Sequence, residues 1–247
     1  MDNEAVDTVN LLFAEEEDMF LDRIVDFLDE LNPNIIPLAS STFQTLEMVF
    51  LSTLIAFAIG FPLGILLNST NKYGITPKPV LNQVMSRIID VLRSFPFVIL
   101  MIILLPFTRL VLGTAIGTGA TIIPLSIAAA PFVARITETA LAEVDPGMIQ
   151  AARAMGSTNA QIIRKVLVPE AMPSVISGIT LTIINLVGYS AMAGTLGGGG
   201  LGDLAIRYGY QRFQTDVMIA AVIVIIVIVA LIQFIGTRLC NKMMSKR

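Results

Sequence analysis

Long apolar runs alternate with short polar stretches along this 247-residue chain. Five such runs fall at about residues 46–67, 88–108, 120–139, 174–196 and 217–237. Each is close to the roughly twenty residues that a helix needs to cross a hydrocarbon core of about 30 Å. Lipid offers backbone groups no hydrogen bonds, so runs of this kind predict helices. The expected fold class is therefore an all-α integral membrane protein with five transmembrane helices. Gly60 and Pro62 lie inside the first run and Pro124 and Pro131 inside the third, positions that neighbouring helices can support. Pro96 and Pro106 predict bends in the second. Asp90 and Arg93 in that run are three apart and can pair with each other, at an end where they can also reach headgroups. Asn68 to Gln83 reads as a polar connection.

Residues 142–172 break the pattern, being amphipathic between two membrane-length runs. Asp145 followed by Pro146 predicts a helix start, with aspartate as cap and proline in the first turn. Gly156 can adopt the left-handed conformation that stops a helix. Thr158 and Gln161 have the spacing of a capping box, so a second short helix follows at once, and Pro169 is expected to end it. Met148, Ala152 and Met155 share a face of the first helix, and Ile163, Val166 and Leu167 a face of the second. Both faces need a partner.

Composition narrows the class. Hydrophobic residues make up 55% of the chain and charged ones 14%, too apolar for an ordinary soluble domain. There is no histidine and a single cysteine, Cys240, which removes most routes to histidine-based catalysis, to zinc sites and to an intrachain disulfide. No metal or organic cofactor and no catalytic residue is expected. An intramembrane protease would need a serine with its base, or paired aspartates at depth. A secondary transporter would usually show internal repeats and buried coupling carboxylates; no convincing repeat is found, and five spans cannot divide evenly.

Charge is unevenly spread. Residues 1–31 carry eleven acids against Arg23 alone, leaving the remainder with a net charge of +7. From Glu15 to Leu31 the apolar positions suit an acidic amphipathic helix, or equally a solvated tail. No signal peptide is expected at the start. Loop lysines and arginines set orientation. Placing the carboxyl end in the cytoplasm gathers eleven of them inside (Lys72, Lys78, Arg87, Arg135, Arg153, Arg164, Lys165, Arg238, Lys242, Lys246, Arg247) and leaves four outside. That puts the 142–172 loop in the cytoplasm and the amino terminus outside. The expected division is an acidic extracytoplasmic segment 1–42, a transmembrane domain 43–240 and a basic cytoplasmic tail 241–247.

The fourth run is the most polar, with Thr180, Thr182, Asn185, Tyr189 and Ser190. Such groups are costly against lipid, so they are expected to face a bundle interior or a water-accessible path. Asn185, Tyr189, Ser190 and Met192 are the candidates for a translocation path, Met192 as an adaptable seal near its outer end. The following Gly197–Gly200 stretch lacks the Lys-Ser/Thr ending of a nucleotide loop and reads as a flexible outer loop.

The hairpin residues Gln150-Ala151-Ala152, Gly156 and Val166-Leu167-Val168-Pro169 resemble the EAA loop of ABC-importer permeases, with glutamine in place of the glutamate. Arg93-Ser94-Phe95-Pro96-Phe97, Pro106-Phe107-Thr108-Arg109 and the run Leu186–Gly194 followed by Gly199-Gly200-Leu201-Gly202 are similar to methionine-importer permeases, over roughly residues 43–240. This resemblance implies a plasma-membrane permease that works as a homodimer. Its implied partners are two copies of a cytoplasmic ATPase and an external substrate-binding (lipo)protein that delivers methionine; no nucleic acid is implied. The ATPase-coupling residues would be Gln150, Ala151, Ala152, Arg153, Gly156 and Ser157. The alternative is an importer permease for another small solute, a polar amino acid or a phosphonate.

Overall fold

The computed structural model describes residues 35–245. The acidic stretch 15–31 and the last two basic residues lie outside the described residues. Helix α1 runs Ile35–Thr70, α2 Pro79–Ser94, α3 Phe97–Leu112 and α4 Thr118–Ala142. The hairpin helices are α5, Pro146–Ala154, and α6, Asn159–Ile162; α7 is Val168–Gly194, α8 Gly200–Leu204 and α9 Thr215–Met244. There is no strand among the described residues. Four helical stretches are long and apolar enough to cross a membrane, 37–70, 118–142, 159–194 and 215–244; α2 and α3 together form a bent pair of the same character, which brings the count to five where the pair is one span.

Small residues let the long helices approach. α1 packs along α4 more extensively than any other pair, with Gly60 and Gly64 one turn apart at the seam. A Cβ on Gly60 would lie 2.5 Å from the Ala130 carbonyl oxygen, and one on Gly64 2.5 Å from Thr137 Cβ. Gly178 of α7 similarly abuts Ile136 of α4, and Gly236 of α9 abuts Thr180 of α7. Where lipid is as apolar as the side chains, close packing of this kind holds helices together. Across the α1–α4 seam the Ser52 hydroxyl also donates to the Ile122 carbonyl at 3.3 Å. The core gathers Met48, Met101, Leu125, Val133, Leu186 and Leu201. Large apolar side chains such as Phe50, Ile226 and Leu231 stay exposed on the outside.

Several expectations are corrected in detail. The second run is broken rather than gently bent: the chain turns by 103° between α2 and α3. Phe95 is extended (φ −72°, ψ 128°) ahead of Pro96, because a residue before proline is driven out of the helical region. The stretch to Gln83 is not all connection, since α2 already starts at Pro79. Asp90 does not pair with Arg93. It bonds Arg135 of α4 at 2.6 Å, and Arg135 also holds Glu138 at 2.7 Å, while the Arg93 guanidinium lies over the Phe132 ring, 5.4 Å from its centroid.

Pro169 does not end the hairpin's second helix. The Val168 N–H reaches back five residues to the Ile163 carbonyl in a widened turn over Ile163–Leu167, and the helix passes Pro169 and continues to Gly194. Lastly, the glycine run is not a flexible loop. Gly198, Gly200 and Gly202 are buried, and the start of α8 is tied to α1: Gly200 N–H donates to Gln44 Oε1 and Leu201 N–H to Thr45 Oγ1, both at 2.9 Å. A Cβ on Gly202 would collide with the Ala191 carbonyl.

Candidate functional site

The hairpin is built from local signals. Asp145 Oδ1 accepts the Gly147 N–H at 2.8 Å, relieving one of the unpaired donors at the start of α5. At the other end Gly156, at φ +78°, closes the helix in the way left-handed glycine does: Gly156 N–H bonds the Arg153 carbonyl and Ser157 N–H the Ala152 carbonyl, the two bonds of a Schellman turn. Thr158 and Gln161 form the reciprocal capping box.

The two helices bury one face and leave the other bare. Ala152, Ile162 and Leu167 sit in a small core with Ile75, Leu141 and Val144. Arg153 Nη2 donates to the Ile75 carbonyl at 3.2 Å, tying the hairpin to the connection after α1. Gln150 and Arg153 border a cleft of ≈ 380 Å³ that Asn68, Asn71 and Tyr73 complete. Of the predicted apolar faces only part turns inward: Ala152 is buried, whereas Met148 and Met155 are exposed, Met155 at 79%. Ala151 is exposed too, Gln150 is largely so, and Ser157 is half-buried. The hairpin thus packs directly against the ends of α1, α4 and α7.

The second cluster lies on α7. Leu181, Asn185, Gly188 and Met192 recur at helical spacing, and all four are exposed. A Cβ on Gly188 would meet nothing within 4 Å, so its small size serves no packing inside this chain. Tyr189 is half-buried and stacks on Phe97, with ring centroids 4.6 Å apart and planes 5° apart. Ser190 faces the interior of the bundle: it is buried and donates to the Val187 carbonyl at 2.8 Å, on the side away from Asn185 and Met192. Asn185 and Tyr189 line a cavity of ≈ 180 Å³ between α7, α4 and the α2–α3 bend, together with Arg93, Phe97 and Phe132. Arg93 is a member of this site that sequence reasoning misses, because as a partner of Asp90 it would be neutralised. Among the described residues no three histidine, cysteine or carboxylate side chains are grouped to hold a metal.

Helices packed through glycine seams, a capped hairpin projecting between two spans and a polar face on the following helix define a membrane transport permease. The sequence pattern of the binding-protein-dependent transport system inner membrane component matches residues 60–244, and the chain belongs to that family. Among its relatives, the probable D-methionine transport system permease protein MetI of Vibrio cholerae is 49% identical, over 83% of this chain and 91% of that one. The methionine import system permease protein MetP of Bacillus subtilis is 46% identical, over 85% and 95% respectively. The structure superposes on a chain of the inward-facing MetNI methionine ABC transporter with a TM-score of 0.84 at 44% identity, covering 85% of this chain and 98% of that one. An amino acid ABC transporter crystallised with histidines shares the fold at 23% identity and a TM-score of 0.67.

Proposed function

We propose that this chain is the membrane subunit of an ABC importer that carries methionine inward by alternating access. It pairs with a second copy of itself. Two cytoplasmic ATPase subunits dock on the paired hairpins, and an extracytoplasmic binding protein supplies the substrate from the other side. The amino terminus lies outside and the carboxyl terminus in the cytoplasm, as the distribution of lysine and arginine supports. The acidic segment 1–42 is then extracytoplasmic, 43–240 the transmembrane domain and 241–247 a cytoplasmic tail.

The observation that carries the reading is the hairpin. It is capped at both helix starts, closed by a left-handed glycine and packed onto α1, α4 and α7, yet it leaves Met148, Ala151 and Met155 exposed, with Gln150 beside them. Flexible methionines suit a surface that must seat another protein through a moving cycle. Gln150, Ala151, Ala152, Arg153, Gly156 and Ser157 are the coupling residues; Ala152 acts from the buried side, and the exposed Arg153 acts through its bond to the Ile75 carbonyl. The exposed α7 face at Leu181, Asn185, Gly188 and Met192 meets its copy at the dimer axis, Gly188 allowing the approach. Asn185 and Tyr189 border the path, Met192 closes its outer end, and Ser190 acts only through helix packing.

ATP-dependent uptake of labelled methionine by proteoliposomes containing the permease, its ATPase and its binding protein tests the assignment. Uptake should be competed by unlabelled methionine and not by a polar amino acid or a phosphonate. Equal competition by either of the latter would reassign the substrate.

A further inference from the structure

The substrate reading leaves open how an amino acid is held between delivery and release, and Arg93 bears on this. Arg93 stands at the end of α2, where the chain turns through 103°. It borders two cavities: the ≈ 180 Å³ space with Asn185, Tyr189, Thr182 and Phe97, and a larger one of ≈ 560 Å³ reaching Ser174, Ser177, Glu143 and Cys240. Ser174, Ser177, Asn185 and Tyr189 thus mark a polar track along α7, and Arg93 faces it at the junction.

The charges around this junction are not evenly satisfied. Arg135, on the wall of the larger cavity, is neutralised by Asp90 and Glu138, and Glu143 accepts the Ser174 hydroxyl at 2.9 Å. Arg93 has no carboxylate partner among the described residues; its flat guanidinium is instead positioned by the Phe132 ring, a placement that leaves the N–H fork open. An arginine set on an aromatic face is suited to bidentate binding of a carboxylate. The neighbouring walls, Phe97, Leu100, Leu186 and Tyr189, offer an apolar slot for a side chain, with the Asn185 amide at its edge. An apolar cavity of about 150 Å³ accommodates benzene, so the smaller cavity fits one amino acid of modest size.

We propose that each protomer holds a transient substrate site in the smaller cavity, between α7, α4 and the α2–α3 bend, in which Arg93 binds the α-carboxylate of the transported amino acid and passes it on to the larger cavity. The site rests on the assignment of this chain as an amino-acid permease. It also explains why Asp90 is drawn to Arg135: a salt bridge to Arg93 would occupy the group that has to read the substrate.

The test is protection of an introduced thiol in the assembled importer. Ala128 borders the smaller cavity, so Ala128→Cys in a Cys240→Ser background reports its occupancy by the rate of reaction with a small maleimide. Methionine should slow labelling saturably, and methioninol, which carries a hydroxymethyl group instead of the carboxylate, should not. Arg93→Gln should weaken protection by roughly tenfold or more, the effect of losing a charge-assisted contact, with partial recovery in Arg93→Lys. Equal protection by methioninol, or unchanged protection in Arg93→Gln, overturns the role of Arg93. If the Ala128→Cys importer takes up methionine while methionine never protects the introduced thiol, the cavity is not a substrate site although the permease assignment stands. If the unmodified importer takes up no methionine at all, the assignment itself fails.

Discussion

The glycine seam between α1 and α4 makes a quantitative prediction about stability. In Gly60→Ala the new Cβ would lie 2.5 Å from the Ala130 carbonyl oxygen and 2.7 Å from Val133 Cβ, where ordinary carbon contacts lie at about 3.5–4.0 Å. One of the obstructing atoms is backbone, so no rotamer change relieves the clash and the helices must separate by about 1 Å over the contact. Overpacking of this kind costs about 1–3 kcal/mol, set against up to about 1 kcal/mol gained from the helical preference of alanine over glycine. Relative to a glycine-to-alanine change that meets no obstruction, and so has the same helical gain, the loss is about 1–3 kcal/mol. Gly119→Ala is the control, since it lies in the first turn of α4 with ordinary φ and nothing within 4 Å of its Cβ; it should be neutral or slightly stabilising. Denaturation of the purified permease in detergent, followed by the loss of helical signal, measures both variants. If Gly60→Ala is as stable as Gly119→Ala, close packing at this seam does not hold the bundle together.

Other predictions follow from the proposed assembly and orientation. Met192→Cys in a Cys240→Ser background should form a disulfide between protomers that blocks uptake and is relieved by reductant; no cross-link in either the resting or the ATP-trapped state, with the dimer intact, would move the outer seal elsewhere. Gly188→Ile should leave the isolated chain folded, because its Cβ faces open space, yet abolish pairing of the two copies; an intact dimer would remove α7 from the axis. A membrane-impermeant thiol reagent should label a cysteine introduced near Glu16 in spheroplasts and reach Cys240 only after permeabilisation, and the reverse pattern would invert the orientation.

What could be read directly from the sequence was local in origin. The Asp145–Pro146 start, the Gly156 stop and the Thr158–Gln161 box each involve residues within a few positions of one another, and each forms the bond its spacing predicts. The span positions followed from the same kind of short-range pattern. The errors arose where distant parts of the chain compete for one group. Asp90 had Arg93 three residues away, but Arg135, 45 positions on, has the better geometry. Pro169 looked like a stop because proline lacks the N–H that continues a helix, whereas a widened turn over Ile163–Leu167 carries the helix past it, with Leu167 and Ala171 buried beside Ile75 and Leu141. The glycine run looked flexible because its two ties, Gln44 and Thr45, are 156 positions away. The polar pair just ahead of the first apolar run was the available signal for that contact. Pro96 signalled a bend without its size, since a proline in an apolar run kinks some helices and breaks others.

If the ordered hairpin transmits the work of an ATPase to a methionine path, the ratio of methionine imported to ATP hydrolysed depends on the shape of its turn. Gly156 sits at φ +78° with nothing of this chain around it, so within the permease a substitution there acts through backbone strain, and the asparagine variant controls for any contact of the added side chain with the ATPase. Valine is strained in that conformation by roughly 1–2 kcal/mol or more, whereas asparagine visits it readily. In proteoliposomes containing the full importer, Gly156→Asn should keep the wild-type ratio, while Gly156→Val, inserted to the same level, should lose most uptake per ATP hydrolysed. A Gly156→Val importer that moves as much methionine per ATP as the wild type would mean that the hairpin does not carry the coupling.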